Sequence, residues 1–358
     1  MKSREDHGRI NHILLLLFKT VLAVLLFTVL NRVFMPKYVS ENPDGHITED
    51  FYKEKLPLDV IFVGSSTVYS AVSPPVLWER QGFASYDRGN ASQPMWISYY
   101  MIEDAFKSGR KPELVALDVG FIKYDDNFVE EPSNRKALDG MRLSRVKLDA
   151  VKAAKGEDEK VIDYIFPILR FHTRWKELSL EDFEYVFRNA YVDHNGYLIN
   201  YNVTDSLPER DGPRYMNEDI EISKRNREYL LKIIELCRDN GTGLFLMKVP
   251  SYSNNWGYHF DDQIREIAEP YGIDYVNFDE SADEIGLDYN IDSPDNGNHL
   301  NTYGAEKFSA YLADYLKAHY ELSSHKEDEK YRKVWDEKLE RYEADKKTGM
   351  GSAGPDGC

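Results

Sequence analysis

The stretch LDVIFVGSSTVY, residues 58–69, decides the fold that this sequence predicts. Its centre, residues 60–63, is a short apolar run rich in β-branched side chains, which favours a buried strand. The run ends in Gly64-Ser65-Ser66. A strand that runs into such a turn delivers a side chain to the carboxyl edge of a sheet, where open α/β sheets bind their ligands. Taken alone, Gly and Ser are ordinary turn formers, so the stretch leaves open whether a serine here is a nucleophile.

Strands and helices alternate on both sides of this stretch. Further strands are predicted at residues 83–86, 114–119, 243–249 and 273–278. Helices are predicted at residues 74–81, 95–108, 221–240, 261–270 and 303–320. Such an order, with buried strands, predicts one α/β domain over residues 58–322, with a parallel sheet and helices on both of its faces.

Two segments depart from the alternation. Residues 124–215 are too long for a simple connection, so they predict an inserted helical cap. Residues 323–348 are highly charged and predict a surface or docking helix with one apolar stripe. Residues 349–358 read as a disordered tail. The apolar stripe of the helix predicted at residues 323–348 consists of Tyr331, Val334, Trp335, Leu339 and Tyr342.

The N-terminal region contains one strongly apolar segment, residues 13–34, which is long enough for one membrane crossing. No small-residue cleavage motif follows it, which favours a retained anchor over a signal peptide. Residues 1–12 then form a short tail and residues 35–57 a polar linker. Basic residues stand on both sides of the segment; we place the tail in the cytoplasm and the large domain outside.

Composition excludes several classes of function. The 358 residues carry a net charge of -17, and an acidic surface repels phosphate backbones, which disfavours nucleic-acid binding. The two cysteines, Cys237 and Cys358, cannot build a disulfide framework or a cysteine-based zinc site. Low cysteine content fits a bacterial surface protein.

Three residues could form an activated nucleophile. The loop DNGNHLN, residues 295–301, carries Asp295 and His299 just before the last predicted helix of the domain. A free serine hydroxyl is a poor nucleophile, so its proton must pass to an imidazole that a carboxylate orients. Ser66 with this loop supplies all three groups.

These motifs resemble those of the SGNH/GDSL hydrolase superfamily: GSS after the first strand, a glycine loop after the second, and D-x-x-x-H-L-N before the last helix. The resemblance covers residues 60–320. It implies a flavodoxin-like three-layer α/β/α sandwich, and ester hydrolysis or acyl transfer with neither a metal nor another cofactor. With its anchor and cap, the chain looks similar to membrane-tethered bacterial members, some of which work in the acylation of teichoic acid, alginate or other surface glycans.

The resemblance assigns roles to the three residues. Ser66 matches the nucleophile, His299 the general base and Asp295 the residue that orients the base. The family usually has two residues between the aspartate and the histidine, whereas three stand here. Asp292 is therefore the alternative.

Candidates for the oxyanion donors follow from the same comparison. The backbone N–H groups of Ser66 and Gly89 match donors of the family. The family's asparagine block is absent after the third strand, so Asn90 or Gln93 is expected to supply a third donor. Ordinary turn chemistry is the alternative explanation for both of these polar residues.

Candidates for substrate contact lie in two places. His172, Arg174 and Trp175, in the cap sequence FHTRWKEL, would suit stacking on a glycan and hydrogen bonding to it. A structural turn is the competing interpretation. Lys248 ends the fourth strand at the same sheet edge, where it meets either substrate or solvent.

Two classes of function remain. The first is a membrane-anchored serine esterase or O-acyltransferase that acts on an acylated extracellular glycan or another ester, with a multi-pass membrane acyltransferase as a candidate partner. The second is a non-catalytic surface protein of the same fold that binds glycan or docks such an acyltransferase. The Ser66–His299 pair favours the enzyme.

Overall fold

Two compact units make up the chain. The first takes Met1–Lys37 together with Glu159–Ala190, and the second takes Tyr38–Asp158 together with Tyr191–Cys358. The structure, a computed structural model, describes residues 2–36, 47–124, 131–188, 194–208, 220–252 and 256–352.

The second unit is built on a five-stranded sheet with the order β2-β1-β3-β4-β5. Every neighbouring pair is parallel. This confirms the mixed α/β fold and the parallel sheet that the sequence predicts. The strands are β1 (Val60–Gly64), β2 (Ser85–Gly89), β3 (Leu114–Asp118), β4 (Gly243–Lys248) and β5 (Tyr275–Asn277).

The five helices predicted for the domain are all present, and further helices that the sequence does not predict lie between them. In chain order they are α1 (Lys2–Phe34), α2 (Ile47–Asp50), α3 (Ser66–Ala71), α4 (Pro74–Gln81), α5 (Met95–Lys107), α6 (Glu131–Asp139), α7 (Arg145–Ala154), α8 (Val161–Ile165), α9 (Pro167–Phe171), α10 (Leu180–Arg188), α11 (Lys224–Asn240), α12 (Tyr258–Ala268), α13 (Ala282–Ile285), α14 (Tyr289–Asp292), α15 (Thr302–His319) and α16 (Glu329–Ser352).

Helices cover both faces of the sheet, because side chains alternate along each strand. Val60 and Phe62 of β1 belong to a buried apolar cluster that also contains Phe308 of α15. Their neighbours Ile61 and Val63 are equally buried. On that side α5 contacts β1 and α11 contacts β4. The carboxyl edge of the sheet is thereby left for the loops.

The predicted linker is partly wrong. Residues 37–46 lie outside the described residues, but from Ile47 onward the chain forms α2 and a 3₁₀ turn. Phe51 is completely buried, and its ring centroid lies 5.1 Å from that of Tyr86 in β2. Burial of this aromatic side chain makes residues 47–57 part of the domain.

The predicted insertion, residues 124–215, is divided between the two units. Helices α6 and α7 belong to the sheet-containing unit, where α7 packs against α5. Helices α8, α9 and α10 belong to the first unit, where α9 and α10 contact α1. The insertion is therefore not one cap.

The C-terminal helix α16 is longer than predicted. It begins at Glu329 and continues to Ser352, so residues 349–352 of the predicted disordered tail are helical, and residues 353–358 lie outside the described part of the chain. Trp335 is fully buried and stacks on Trp78 of α4, with ring centroids 5.6 Å apart. The apolar stripe of this helix does dock onto the domain.

In the first unit, α1 contains a span, Ile10–Phe34, that is long and apolar enough to cross a membrane. Its side chains are exposed from residue 10 to residue 28. Its last turns, by contrast, are half-buried, and Val33 is buried. The predicted tail is helical from Lys2 onward.

Candidate active site

Ser66 stands at the junction of β1 and α3. Ser65 is the N-cap of α3, where its hydroxyl accepts a hydrogen bond from the Thr67 N–H at 3.5 Å, and Ser66 is the first helical residue. The sequence predicts a turn here and no helix before residue 74. The backbone at Gly64 lies close to Asp118 of β3, and only glycine fits there, since a Cβ atom at this position would lie 2.7 Å from the Cβ atom of Asp118.

His299 lies against Ser66. Its Nε2 atom is 2.7 Å from the Ser66 hydroxyl, and its Nδ1 atom is 2.5 Å from Oδ2 of Asp295. The backbone N–H of His299 donates to Oδ1 of the same carboxylate at 2.9 Å. The structure thus brings together the three residues that the sequence proposes as nucleophile, base and orienting group.

The loop that carries Asp295 and His299 folds back on itself. Asn296 has φ of +56° and Gly297 has φ of +86°, both in the left-handed region that Asn and Gly tolerate best. Asn301 ends the loop as the N-cap of α15, accepting from the N–H groups of Tyr303 and Gly304. Local turn chemistry therefore sets the distance from carboxylate to imidazole.

Asp292 has a different environment. Its carboxylate is fully buried, accepts a hydrogen bond from Lys307 Nζ at 2.7 Å and accepts another from the Asp288 N–H at 2.7 Å. The bond to Lys307 ties α14 to α15, and the bond to Asp288 closes the first turn of α14. The contacts of Asp292 are structural, and Asp295 is the carboxylate that contacts the imidazole.

A cavity of about 330 Å³ opens beside Ser66 and His299. Its walls come from the loops at the carboxyl ends of β1, β2, β3 and β4 and from the loop before α15. This is the volume of a small binding cleft. The residues that line it are Ser65, Ser66, Thr67, Ser92, Asp118, Gly120, Phe121, Lys123, Tyr124, Lys248, Val249, Asn298 and His299.

The predicted oxyanion donors are not all at this cavity. The Asn90 amide donates to Oε1 of Gln93 at 2.9 Å, and the Gln93 amide donates to Ser98 at 3.1 Å, so both side chains are used in the buried interior. Gly89 lies at the end of β2, where a Cβ atom would come within 2.7 Å of the Ser65 carbonyl oxygen. None of these three residues lines the cavity.

Ser92 is the residue from the loop after β2 that reaches the cavity. It lines the cavity and has φ of +51°, a conformation that is uncommon for serine and is found disproportionately at functional sites. Ser66 also lines the cavity and starts a helix, where backbone N–H groups lack intrahelical acceptors. The N–H groups of Ser66 and Ser92 are thus the candidate donors at this wall.

Asp118 connects three of the loops. Its Oδ2 atom accepts from the Thr67 hydroxyl at 2.7 Å, and its Oδ1 atom accepts from the N–H groups of Gly120 and Val249 at 3.2 Å each. Burial raises the pKa of this carboxyl, and the Thr67 hydrogen bond and the charge of Lys248 oppose the rise. The loops after β1, β3 and β4 are held by one side chain.

Two lysines line the cavity. Lys248 is 1% exposed and donates to Oδ2 of Asp279 at 2.7 Å, so the predicted substrate lysine reaches the cavity as half of a buried ion pair. Lys123 lines the same cavity, and burial together with the charge of Lys248 lowers its pKa to about 8. The sequence interpretation missed Lys123, because nothing local distinguishes it from a solvated lysine.

The predicted glycan contacts in FHTRWKEL belong to the first unit. Arg174 donates to the Phe34 carbonyl oxygen at 2.8 Å and to Asp182 at 3.1 Å. The Trp175 side chain is 64% exposed and the His172 ring contacts the Leu169 carbonyl oxygen at 3.0 Å. None of these three predicted residues lines the cavity.

No protein-family model and no curated protein matches this chain. Across the described ranges, no three His, Cys, Asp or Glu side chains are grouped so that they could hold a metal ion. The geometry of the serine, the imidazole and the carboxylate is the basis for the function proposed below.

Proposed function

We propose that this protein is a serine-dependent esterase or O-acyltransferase of the SGNH/GDSL type. The observation that carries the proposal is the 2.7 Å contact between the Ser66 hydroxyl and Nε2 of His299, with Asp295 at the opposite ring nitrogen. In the reaction, Ser66 attacks the ester carbonyl while His299 takes its proton. The alcohol then leaves with that proton, and an acyl-serine remains.

The second half-reaction releases the acyl group. Water or a sugar hydroxyl attacks the acyl-serine, and His299 accepts the proton of the attacking group. When the tetrahedral intermediate collapses, His299 passes this proton to the Ser66 oxygen, which leaves as the free hydroxyl. The N–H groups of Ser66 and Ser92 would stabilise the oxyanion in both steps. The choice between water and sugar depends on how the acceptor fills the cavity.

The topology of the sheet supports the same assignment. The strand order 2-1-3-4-5 is that of flavodoxin-like folds, in which ligands bind beyond the carboxyl ends of the strands at the switch point between β1 and β3. Ser66 follows β1, and Gly120 and Phe121 follow β3. The cavity occupies that position, which supports a flavodoxin-like α/β/α sandwich.

The proposed substrate is an acylated extracellular glycan, and the proposed location is the bacterial cell membrane. In this arrangement α1 is a single-pass anchor, the sheet-containing unit lies outside the cell, and a multi-pass membrane acyltransferase is the partner that would supply acyl groups. Phe121 and Tyr124 line the cavity with ring centroids 4.6 Å apart. Their faces suit the apolar side of a sugar ring.

Labelling of the full chain with a serine-reactive fluorophosphonate tests the proposal. The expected result is stoichiometric labelling at Ser66, lost in Ser66→Ala and kept in Ser70→Ala, a matched change in the same short helix. A folded chain that takes no label at Ser66 would instead support the non-catalytic surface protein. Mass spectrometry of the labelled peptide identifies the residue.

A further inference from the structure

A second functional surface lies in the first unit, where helices α8, α9 and α10 and the 3₁₀ turn His172–Lys176 accompany the apolar helix α1. We call residues 161–188 the α1-associated segment. The segment takes no part in the chemistry proposed above. Its contacts and its exposed side chains suggest a separate role.

The segment is fixed to one end of α1. The Phe166 and Phe27 ring centroids lie 5.3 Å apart, and the Ile168 N–H donates to Oδ1 of Asn31 at 3.1 Å. Arg174 donates to the carbonyl oxygen of Phe34, the last residue of α1, at 2.8 Å. All of these contacts fall on the C-terminal turns of the helix.

The exposed part of α1 ends where these contacts begin. Residues 10–28 are exposed and rise about 28 Å at 1.5 Å per residue, close to the ~30 Å of a bilayer's hydrocarbon core. The α1-associated segment therefore sits at the level where a spanning α1 would leave the hydrocarbon, which is the headgroup region of one leaflet.

The segment exposes apolar side chains that a water-facing surface would not favour. Leu180 is 80% exposed and Trp175 is 64% exposed. Outside α1, no other described stretch of equal length contains as many exposed large hydrophobic residues. The remaining members are Leu169, Phe183 and Ile162, at 48%, 46% and 42%.

Helix α10 carries two exposed apolar residues and one buried acidic residue. Leu180 and Phe183, three positions apart, share one face, and both are exposed. Asp182 points the other way, where it is buried and bound to Arg174. Asp182 is thus used inside the unit, whereas Leu180 and Phe183 are left outward.

Basic and aromatic residues complete the pattern. Arg170 and Lys176 are exposed. The Lys176 ammonium lies 5.4 Å from the Trp175 ring centroid. Trp prefers the boundary between headgroups and acyl chains, and Lys and Arg extend their charges to the phosphates. A lipid surface matches all of these side chains.

We propose that the α1-associated segment lies in the membrane interface, with Trp175, Leu180 and Phe183 inserted into the leaflet from which the C-terminal end of α1 emerges. This rests on the membrane anchoring in the proposed function. The protein would then hold the membrane by a crossing helix and by a surface-lying segment, which restricts rotation of the first unit about the membrane normal.

Quenching of tryptophan fluorescence in the full chain tests whether the α1-associated segment lies in the membrane interface. The chain has five Trp residues, and Trp78, Trp96, Trp256 and Trp335 are at most 2% exposed. Reconstitution into phosphatidylcholine–phosphatidylglycerol vesicles with lipids brominated near the headgroup should quench most of the Trp175 emission. Trp175→Phe should remove the quenched component and leave the rest of the spectrum unchanged.

A tryptophan reporter on α1 distinguishes failure of the membrane anchor from failure of the interfacial segment. In the Trp175→Phe background, Val21→Trp places an indole in the exposed span and should be quenched by lipids brominated deep in the acyl chain. If that reporter is quenched and Trp175 is not, the interfacial segment is wrong while the anchor stands. If neither is quenched, both the anchor and the segment's location are wrong. A Trp175 that is shielded from aqueous iodide and also from bromolipid would be covered by protein, which overturns the lipid assignment.

Discussion

Asp295 accepts two hydrogen bonds from His299, one from the ring at 2.5 Å and one from the backbone N–H at 2.9 Å. The two bonds use different carboxylate oxygens, so the same side chain orients the imidazole and closes the loop that carries it. An aspartate four positions before the histidine can do this only because Asn296 and Gly297 adopt positive φ between them.

Asp295→Asn and Asp292→Asn should therefore affect different properties: the first should lower the catalytic rate, and the second should lower the stability of the fold. Asparagine at 295 can still accept from the backbone N–H, but its amide stabilises the wrong imidazole tautomer, so we expect kcat to fall on the order of 10⁴-fold with little change in Tm. Asparagine at 292 weakens the bond to Lys307, whose side chain is 36% exposed. The free energy of unfolding should therefore fall by about 1–2 kcal/mol, with kcat retained. Ester hydrolysis rates and thermal melts compare the two variants, and a greater loss of rate at 292 would reverse the assignment.

Ser66→Ala should lower hydrolysis of a small aryl acetate by on the order of 10⁴-fold or more, because the activated hydroxyl is lost. Ser70→Ala lies one turn along α3 and should keep the wild-type rate. Turnover that survives in Ser66→Ala and disappears in Ser65→Ala would move the nucleophile by one residue.

Thr67→Val should lower kcat with a small change in KM. The substitution keeps the shape of the side chain but removes its hydrogen bonds to Asp118 and Ser65, and a buried carboxylate oxygen that loses its partner costs about 1–3 kcal/mol. Ser66 then loses the support that fixes it against His299. Thr67→Ser keeps the hydroxyl and should restore most of the rate; equal losses in both variants would mean that packing of the methyl group matters instead.

Lys123→Met should stabilise the protein at pH 7, by on the order of 1–3 kcal/mol, because burial disfavours the charged ammonium. The folded-state pKa of about 8 lies below the usual 10.4 of an unfolded chain. Between these values the unfolded state binds more protons, so wild-type stability should rise as the pH increases from about 8 to about 10. Melts across this range should show the rise in wild type and in the exposed control Lys317→Met, and a weaker one in Lys123→Met. An identical pH dependence in Lys123→Met would show that Lys123 is solvated.

Much of the fold could be predicted because the residues that become buried follow apolar patterns that are visible in short stretches of sequence. The apolar runs of β1, β3 and β4 and the spacing in α5, α11 and α15 need no tertiary information to be recognised. The 3₁₀ turn around Phe51 was not predicted because its two aromatic residues stand among mostly polar residues in the sequence. Phe51 and Tyr52, adjacent in sequence, were the available signal.

The site was predictable only in part, for a related reason. Ser66, Asp295 and His299 stand at the ends of recognisable elements, so their meeting follows from topology. Asp118, by contrast, matters because it accepts from residues 51 positions before it and 131 positions after it. No local pattern encodes such contacts. The amides of Asn90 and Gln93 were misassigned because residue type alone cannot tell a cavity wall from the interior.

Ser66 and His299 meet across 233 positions of sequence. A ribosome makes the serine early and the histidine late, so in a growing chain Ser66 has no imidazole partner until the last part of the sheet unit has been made and has folded. Premature termination anywhere before residue 299 leaves a fragment without the proposed base. Under the proposed mechanism, such a fragment can neither form an acyl-serine nor hydrolyse an ester.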